Sequence, residues 1–266
     1  MKIKSLMNLK GRRAMVTGAA GGLGKVIAET LAELGSDLVL VDRDKEGIES
    51  LQHQLSDSFA VSVVGTVCDL EHQDQRERLI DDIIRDGQDL NILINNAAFV
   101  GSSNLSGWNA PFVEQSIDTW RRALEVNLVA PFELCQGLSQ VLKKSQSGNI
   151  INIASIYGQF GPDWRMYENT NMSNPAAYGA SKAGLIQLTK WLSTTLAPDV
   201  RVNAISPGGV FTGQPDNFVQ SYNSRTPLCR MASYDDLRGG VAYLATDMSE
   251  YVTGQVLNVD GGWGVW

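Results

Sequence analysis

Apolar runs and helix-period segments alternate along almost the whole chain. "RRAMVTG" (12–18) predicts a strand, and "LGKVIAETLAELG" (23–35) predicts an amphipathic helix closed by Gly35. "DLVLVD" (37–42) predicts a strand and "KEGIESLQHQLS" (45–56) a helix. "SVVGTVCDL" (62–70) predicts a strand, and a charged helix follows over 71–86. "LNILINNAA" (90–98) predicts a strand, and a long helix is expected from about Asp118 to Lys144. "GNIINIAS" (148–155) predicts a strand and "AAYGASKAGLIQLTKWLSTTLA" (176–197) a helix. A strand over 201–209, a loop to about 232, a helix near 234–246 and a last strand over 255–262 complete the pattern.

The predicted strands are near-continuous apolar runs, as expected for strands buried on both faces of a parallel sheet. Alternating strands and helices with short connections imply a doubly wound α/β sheet. No linker, composition break or short repeat interrupts the chain, so one domain over 1–266 is expected.

Composition narrows the function classes. Of 266 residues, 43% are hydrophobic and 19% charged, ordinary for a globular protein. A net charge of −7 and a pI of about 4.9 disfavour nucleic acid or an anionic membrane as partner, because phosphate binding relies on clustered Lys and Arg. Cys68, Cys135 and Cys229 are odd in number and widely spaced, which suggests reduced thiols rather than disulfides or a zinc site. His53 and His72 lie in charged, helix-like stretches and read as solvated, so no metal is expected. The N-terminal "MKIKSLMNLKGRR" lacks the apolar core of a signal peptide, and no run has the length of a membrane span. A cytoplasmic protein with a small-molecule substrate is expected.

"TGAAGGLG" (17–24) lies between the first strand and its helix. Glycines allow a sharp turn and close approach of a ligand, and the helix N-terminus offers free N–H groups to a pyrophosphate. Asp42 ends the second strand, eighteen residues after Gly24, where an acid can accept from the ribose hydroxyls of an adenosine. It would repel a 2′-phosphate, so NAD is expected over NADP, although Arg43 beside it could accommodate NADP.

Three tyrosines, Tyr157, Tyr167 and Tyr178, surround a long polar stretch, and only Tyr178 is followed four residues later by a lysine, Lys182. Residues four apart share a helix face. A phenol titrates near 10, and a nearby ammonium favours the phenolate, so Tyr178 is expected to have a lowered pKa and to move a proton. Ser155 ends the fifth strand, where its hydroxyl could hold a substrate oxygen as charge develops.

"TGAAGGLG", "NNAA" (95–98), Asn127, Ser155, "YGASK" (178–182) and "PGGVFT" (207–212), in this order over roughly 10–262, resemble the short-chain dehydrogenase/reductase family. The resemblance implies a single Rossmann-type domain with a seven-stranded parallel sheet flanked by helices. It implies a nicotinamide cofactor and interconversion of an alcohol and a carbonyl. It gives Lys182 a hydrogen bond to the nicotinamide ribose and Asn127 a place in a water-mediated proton relay to Lys182. It places Gly18, Gly22, Leu23 and Gly24 at the diphosphate, Asp69 at the adenine amino group, and Leu70, Asn96, Ala97 and Tyr178 among the other cofactor contacts. Pro207 and Val210 would lie along the nicotinamide, with Thr212 a candidate for the carboxamide or the diphosphate. Ala98 departs from the commoner glycine and is tolerated unless its backbone needs positive φ. Family members are often tetramers, and the tryptophans of "GGWGVW" suggest an interface in a homo-tetramer or dimer.

Ser155 and Tyr178 stand 23 residues apart, further than is usual in the family, which marks an insertion near 159–175. It is expected to cover the substrate site, with Arg165 able to bind a carboxylate or phosphate, or else to serve an interface or decorate the surface. A second polar, aromatic stretch at 100–116 is expected to meet it over one pocket. The lengthened loop resembles dehydrogenases of bacterial surface-sugar pathways (flagellin or lipopolysaccharide modification). That points to a sugar, sugar acid or nucleotide sugar as substrate. A 3-oxoacyl-type reductase and a non-catalytic dinucleotide sensor or scaffold remain as alternatives.

Overall fold

The apolar runs all form strands, and the seven strands join one sheet. A computed structural model describes residues 2–100 and 105–266; residues 101–104 of the second polar stretch, and Met1, lie outside the described part. A short helix α1 (Ile3–Leu6) precedes β1 (Arg13–Thr17), and α2 (Gly22–Glu33), β2 (Asp37–Asp42), α3 (Lys45–Ser58), β3 (Val63–Val67), α4 (Gln73–Asp86) and β4 (Ile92–Asn95) follow. Next come α5 (Ile117–Leu124), a π-helical segment (Glu125–Val129), α6 (Ala130–Lys144) and β5 (Gly148–Ile153). The chain ends with α7 (Ala176–Thr195), β6 (Val200–Pro207), α8 (Asp216–Arg225), α9 (Arg238–Ala245) and β7 (Val256–Val259).

All pairings are parallel, in the order β3-β2-β1-β4-β5-β6-β7. The chain runs outward from β1 to β3 and then returns to place β4 beside β1. That reversal opens a crevice at the carboxyl ends of β1 and β4, where such sheets bind ligands. Period-2 alternation sends Val16, Leu40 and Ile94 to one face, against Ile27 and Leu31 of α2 and Val241 and Leu244 of α9. Met15, Val39 and Leu93 go to the other face, against Leu79 and Ile83 of α4 and Leu134 and Leu138 of α6.

Two expectations are corrected. The helix expected over 118–144 is not uniform, because Pro131 has no N–H for the carbonyl of Asn127 four residues earlier. The turn widens instead, and the Ala130 N–H bonds to Glu125, five residues back. The loop expected up to about 232 contains α8, whose Phe218 and Tyr222 are buried. Its apolar partners lie in the insertion and the C-terminal tail, far away in sequence.

Candidate active site

A cavity of about 880 Å³ follows the carboxyl edge of the sheet. Gly18, Gly22, Leu23, Gly24, Asp42, Asp69, Leu70, Asn96 and Ala97 line it, as do Ser155, Tyr178, Lys182, Pro207 and Val210. Thr212 lies outside its wall; it is exposed, and its N–H donates to Gln214 (2.7 Å), which does line the cavity.

The glycine-rich turn is built for close approach. Gly18 has φ +64°, and a Cβ there would meet the Ala97 Cα at 2.7 Å. A Cβ on Gly24 would stand 2.0 Å from the Gly18 carbonyl oxygen, so only glycine lets α2 start this close to β1. Thr17, just before the turn, was not singled out from the sequence. Its Oγ1 accepts from the N–H groups of Asn96 (3.0 Å) and Ala97 (3.1 Å). The Asn96 side chain donates to the carbonyls of Thr17 (2.9 Å) and Gly18 (3.1 Å). The loop after β4 is thereby stapled to the glycine turn, and Ala98 holds its place without a positive φ.

Asp42 accepts from the Ala20 N–H at 3.0 Å and the Asp44 N–H at 3.1 Å, which aims its carboxylate at the glycine turn. Asp42 on β2 and Ser155 after β5 are three strand spacings apart, roughly 14 Å. A crevice of that span, with a cradle that any Cβ would fill at one point and an acid beyond it, fits a dinucleotide.

At the other end stand Ser155, Tyr178 and Lys182. The Ser155 hydroxyl accepts from the Tyr157 N–H at 3.2 Å. Lys182 is buried, and its Nζ donates to the Ile153 carbonyl at 2.7 Å and lies 5.8 Å from the Tyr178 ring centroid. The expected lowering of the Tyr178 pKa is not what this geometry produces. Burial pushes the phenol up, and a hydrogen bond with Ser155 offsets only part of that. Burial also pulls the Lys182 amine down to about 8, so desolvation drives both groups toward their neutral forms.

Asn127 does not reach the cavity. Its Oδ1 accepts from the Phe99 N–H at 2.5 Å, and its Nδ2 donates to the Ser181 hydroxyl at 3.0 Å, clamping the loop after β4 to α7. A second clamp was hidden within the apolar runs. Asn95 on β4 donates to Asn152 on β5 (2.8 Å), which donates to Thr189 on α7 (2.9 Å). These buried bonds set the depth of the helix carrying Tyr178 and Lys182. Arg122 on α5 also lines the cavity and pairs with Glu71 in the turn before α4 at 2.5 Å and 3.0 Å, a contact between segments far apart in sequence with no local signal.

The insertion does not line the cavity at any position from 159 to 175. Arg165 is spent on Asp163 (2.8 and 2.6 Å) and points outward; Asp163 also holds Arg225 at 3.2 Å. Met166 and Tyr167 pack with Phe218 and Tyr222 of α8 and with Trp263 of the tail. Trp263 is 1% exposed, so it belongs to the core of its own chain, and only Trp266 of the two tail tryptophans is open to solvent. The two polar stretches do meet: Asn109 donates to the Asn171 carbonyl at 3.0 Å, and Gln115 accepts from the Ala176 N–H at 3.1 Å.

Among the described residues no group of His, Cys, Asp and Glu could hold a metal ion, and no helix is long and apolar enough to cross a membrane.

A family model described as enoyl-(acyl carrier protein) reductase matches residues 18–264. A tropinone reductase homologue of Arabidopsis thaliana is 34% identical, with 100% of this chain and 97% of the relative covered. The 3-oxoacyl-[acyl-carrier-protein] reductase FabG of Thermotoga maritima is 30% identical over 96% of this chain and 99% of the relative. The post-translational flagellin modification protein A of Campylobacter coli is 28% identical over 97% and 100%. Among solved structures, a short-chain type dehydrogenase/reductase from Mycobacterium marinum superposes with a TM-score of 0.85 at 26% identity, covering 99% of each chain. A gluconate 5-dehydrogenase from Burkholderia cenocepacia in complex with NADP and tartrate gives 0.87 at 28% identity and 100% of each chain. An NAD+-bound xylitol dehydrogenase gives 0.83 at 29% identity, covering 96% of this chain and 99% of that one. Together with the glycine turn, the Ser155–Tyr178–Lys182 cluster and the strand order, these matches establish that the chain belongs to the short-chain dehydrogenase/reductase family, NAD(P)-dependent oxidoreductases acting on CH–OH groups.

Proposed function

We propose that the protein prefers NAD over NADP and interconverts a secondary alcohol and a carbonyl on a sugar, sugar acid or nucleotide sugar. The observation that carries this is one cavity with Asp42 toward one end and Ser155, Tyr178 and Lys182 toward the other. Gly18, Gly22, Leu23 and Gly24 would cradle the diphosphate, Asp42 would accept from the adenosine ribose, and Asp69 and Leu70 would border the adenine. Asn96, Ala97, Pro207 and Val210 would flank the rest. The bound dinucleotide supplies or takes up the hydride. Ser155 holds the substrate oxygen, and Tyr178 takes its proton during oxidation or returns one during reduction. Lys182, positively charged below about pH 8, favours the phenolate as that proton leaves. Asn127 has its side chain committed to Phe99 and Ser181, so its part in a water relay would fall to its backbone carbonyl, to which Pro131 offers no N–H.

The carbohydrate reading draws support from the likeness to the gluconate and xylitol dehydrogenases and to the flagellin modification protein. A 3-oxoacyl substrate is the second reading. It is favoured by the likeness to FabG and by Phe99, Val100, Leu105 and Ile156 on the cavity wall. NADH formation with xylitol, gluconate and a 3-hydroxyacyl thioester decides between them. Tyr178→Phe is expected to lower kcat by about 10²–10⁴-fold while NADH binding persists; undiminished turnover would sink the catalytic assignment. Asp42→Ser is expected to move the NAD/NADP preference toward NADP by about tenfold or more.

The same reading makes the protein a cytoplasmic homo-oligomer, dimer or tetramer. Phe132 on α6 and Trp191 on α7 support it, being 40% and 54% exposed on long helices. A chain eluting as a monomer on a sizing column would contradict it.

A further inference from the structure

Tyr157 walls the cavity two residues beyond Ser155, with its backbone tied to the Ser155 hydroxyl. Its own hydroxyl lies 2.7 Å from that of Tyr167 in the insertion, and the Asn174 amide donates to the Tyr167 oxygen at 3.2 Å. Hydrogen accounting orders this chain. The Asn174 NH₂ can only donate, so the Tyr167 oxygen accepts, and the Tyr167 hydrogen needs an acceptor of its own. Among the described residues the Tyr157 oxygen is the one within reach. If Tyr157 were the donor instead, the Tyr167 hydrogen, on a half-buried ring packed with Met166 and Phe218, would have no acceptor among the described residues. With Tyr167 donating, the Tyr157 hydrogen has no acceptor among the described residues. Burial also pushes the Tyr157 phenol above its ordinary value, which favours the form that keeps its hydrogen.

We propose that the Tyr157 hydroxyl donates a hydrogen bond to a second oxygen of the substrate, next to the one handled by Ser155 and Tyr178, and that Tyr167 and Asn174 of the insertion set its direction. This rests on the alcohol–carbonyl reading of the site and deepens it. The insertion, which lines none of the cavity, then acts on substrate choice through one hydrogen-bonded relay. A site that offers a donor favours a substrate carrying an oxygen there and disfavours the analogue without one.

The test compares wild type, Tyr157→Phe and Tyr167→Phe, with NAD, on two pairs of alcohols: xylitol against cyclohexanol, and ethyl 3-hydroxybutyrate against 2-butanol. Tyr157→Phe is expected to raise KM for the oxygen-rich member by about tenfold relative to its partner, with a much smaller change in kcat. Tyr167→Phe is expected to produce part of that shift, about two- to fivefold, at an unchanged melting temperature. Equal effects on both members of each pair, or none, overturn the proposal. Turnover of the ester but not xylitol, with selectivity lost in Tyr157→Phe, removes the carbohydrate reading and leaves this inference standing. Turnover of xylitol with selectivity untouched does the reverse. If no alcohol reacts, calorimetry of xylitol and gluconate on the NADH complex decides, and failure of both to bind overturns both readings.

Discussion

Tyr178 and Lys182 stand in surroundings that penalise charge on either of them. Lys182 shows the consequence most simply. Its pKa falls from 10.5 to about 8 on burial, so below about pH 8 it is protonated in both the folded and unfolded states and the folded state bears the whole desolvation penalty. Between about 8 and 10.5 the unfolded chain binds the extra proton, so stability rises with pH across that window. Lys182→Met is therefore expected to stabilise the protein at pH 7 by about 1–3 kcal/mol, or roughly 2–8 °C in Tm, while abolishing turnover. The gain is expected to shrink as pH climbs from 8 toward 10.5. Thermal melts at pH 7, 9 and 10.5 check this, and a variant less stable than wild type at pH 7 would show that the bond to Ile153 outweighs desolvation.

Among the elements, the glycine turn and its neighbours carry the tightest geometric demand. Gly24→Ala would drive a Cβ into the Gly18 carbonyl. It is expected to cost about 1–3 kcal/mol and to weaken NADH binding by at least about tenfold, read by urea unfolding and fluorescence titration. This turn was legible in the sequence because its parts lie within eight residues and each glycine answers a local need. The same holds for the strands, whose apolar runs match the period of a doubly buried sheet, and for the Tyr178–Lys182 pair, which one helical turn brings together. The π segment left a readable trace in Pro131, four residues after Asn127. Helix α8 left none, because its polar sequence becomes helical only where Phe218 and Tyr222 find the insertion and the tail.

For the molecule as a whole, Trp263 is the pin between the insertion, α8 and the C-terminus. It stacks on Tyr222 at 6.3 Å and meets Tyr157 at 6.1 Å, while the Arg225 guanidinium lies 4.4 Å above its ring. Its buried indole N–H has no partner among the described residues, so its contribution comes from packing. Trp263→Ala is expected to cost about 3–5 kcal/mol. Trp263→Phe, which discards the unpaired N–H and keeps a ring, is expected to cost less than about 1.5 kcal/mol. Urea midpoints distinguish the two; equal losses would mean that the indole N–H matters after all. Of the two tail tryptophans that suggested an interface, Trp263 is buried within its own chain, because composition marks it as apolar but not which surface it covers.

Local chemistry was decided along the chain. Strand and helix periods, the acid ending β2, the serine ending β5 and the tyrosine–lysine spacing all depend on residues close in sequence, and local propensity and periodicity are enough to order them. The folded structure alone decided which side chains lose their water and which distant partners they meet. Burial reversed the expected shift of Tyr178, the Asn95–Asn152–Thr189 bonds fixed α7, and Arg165 turned outward to Asp163. Packing also put the insertion behind Tyr157 rather than over the cavity. These outcomes depend on dielectric surroundings and long-range contacts, which exist only once the strands have assembled.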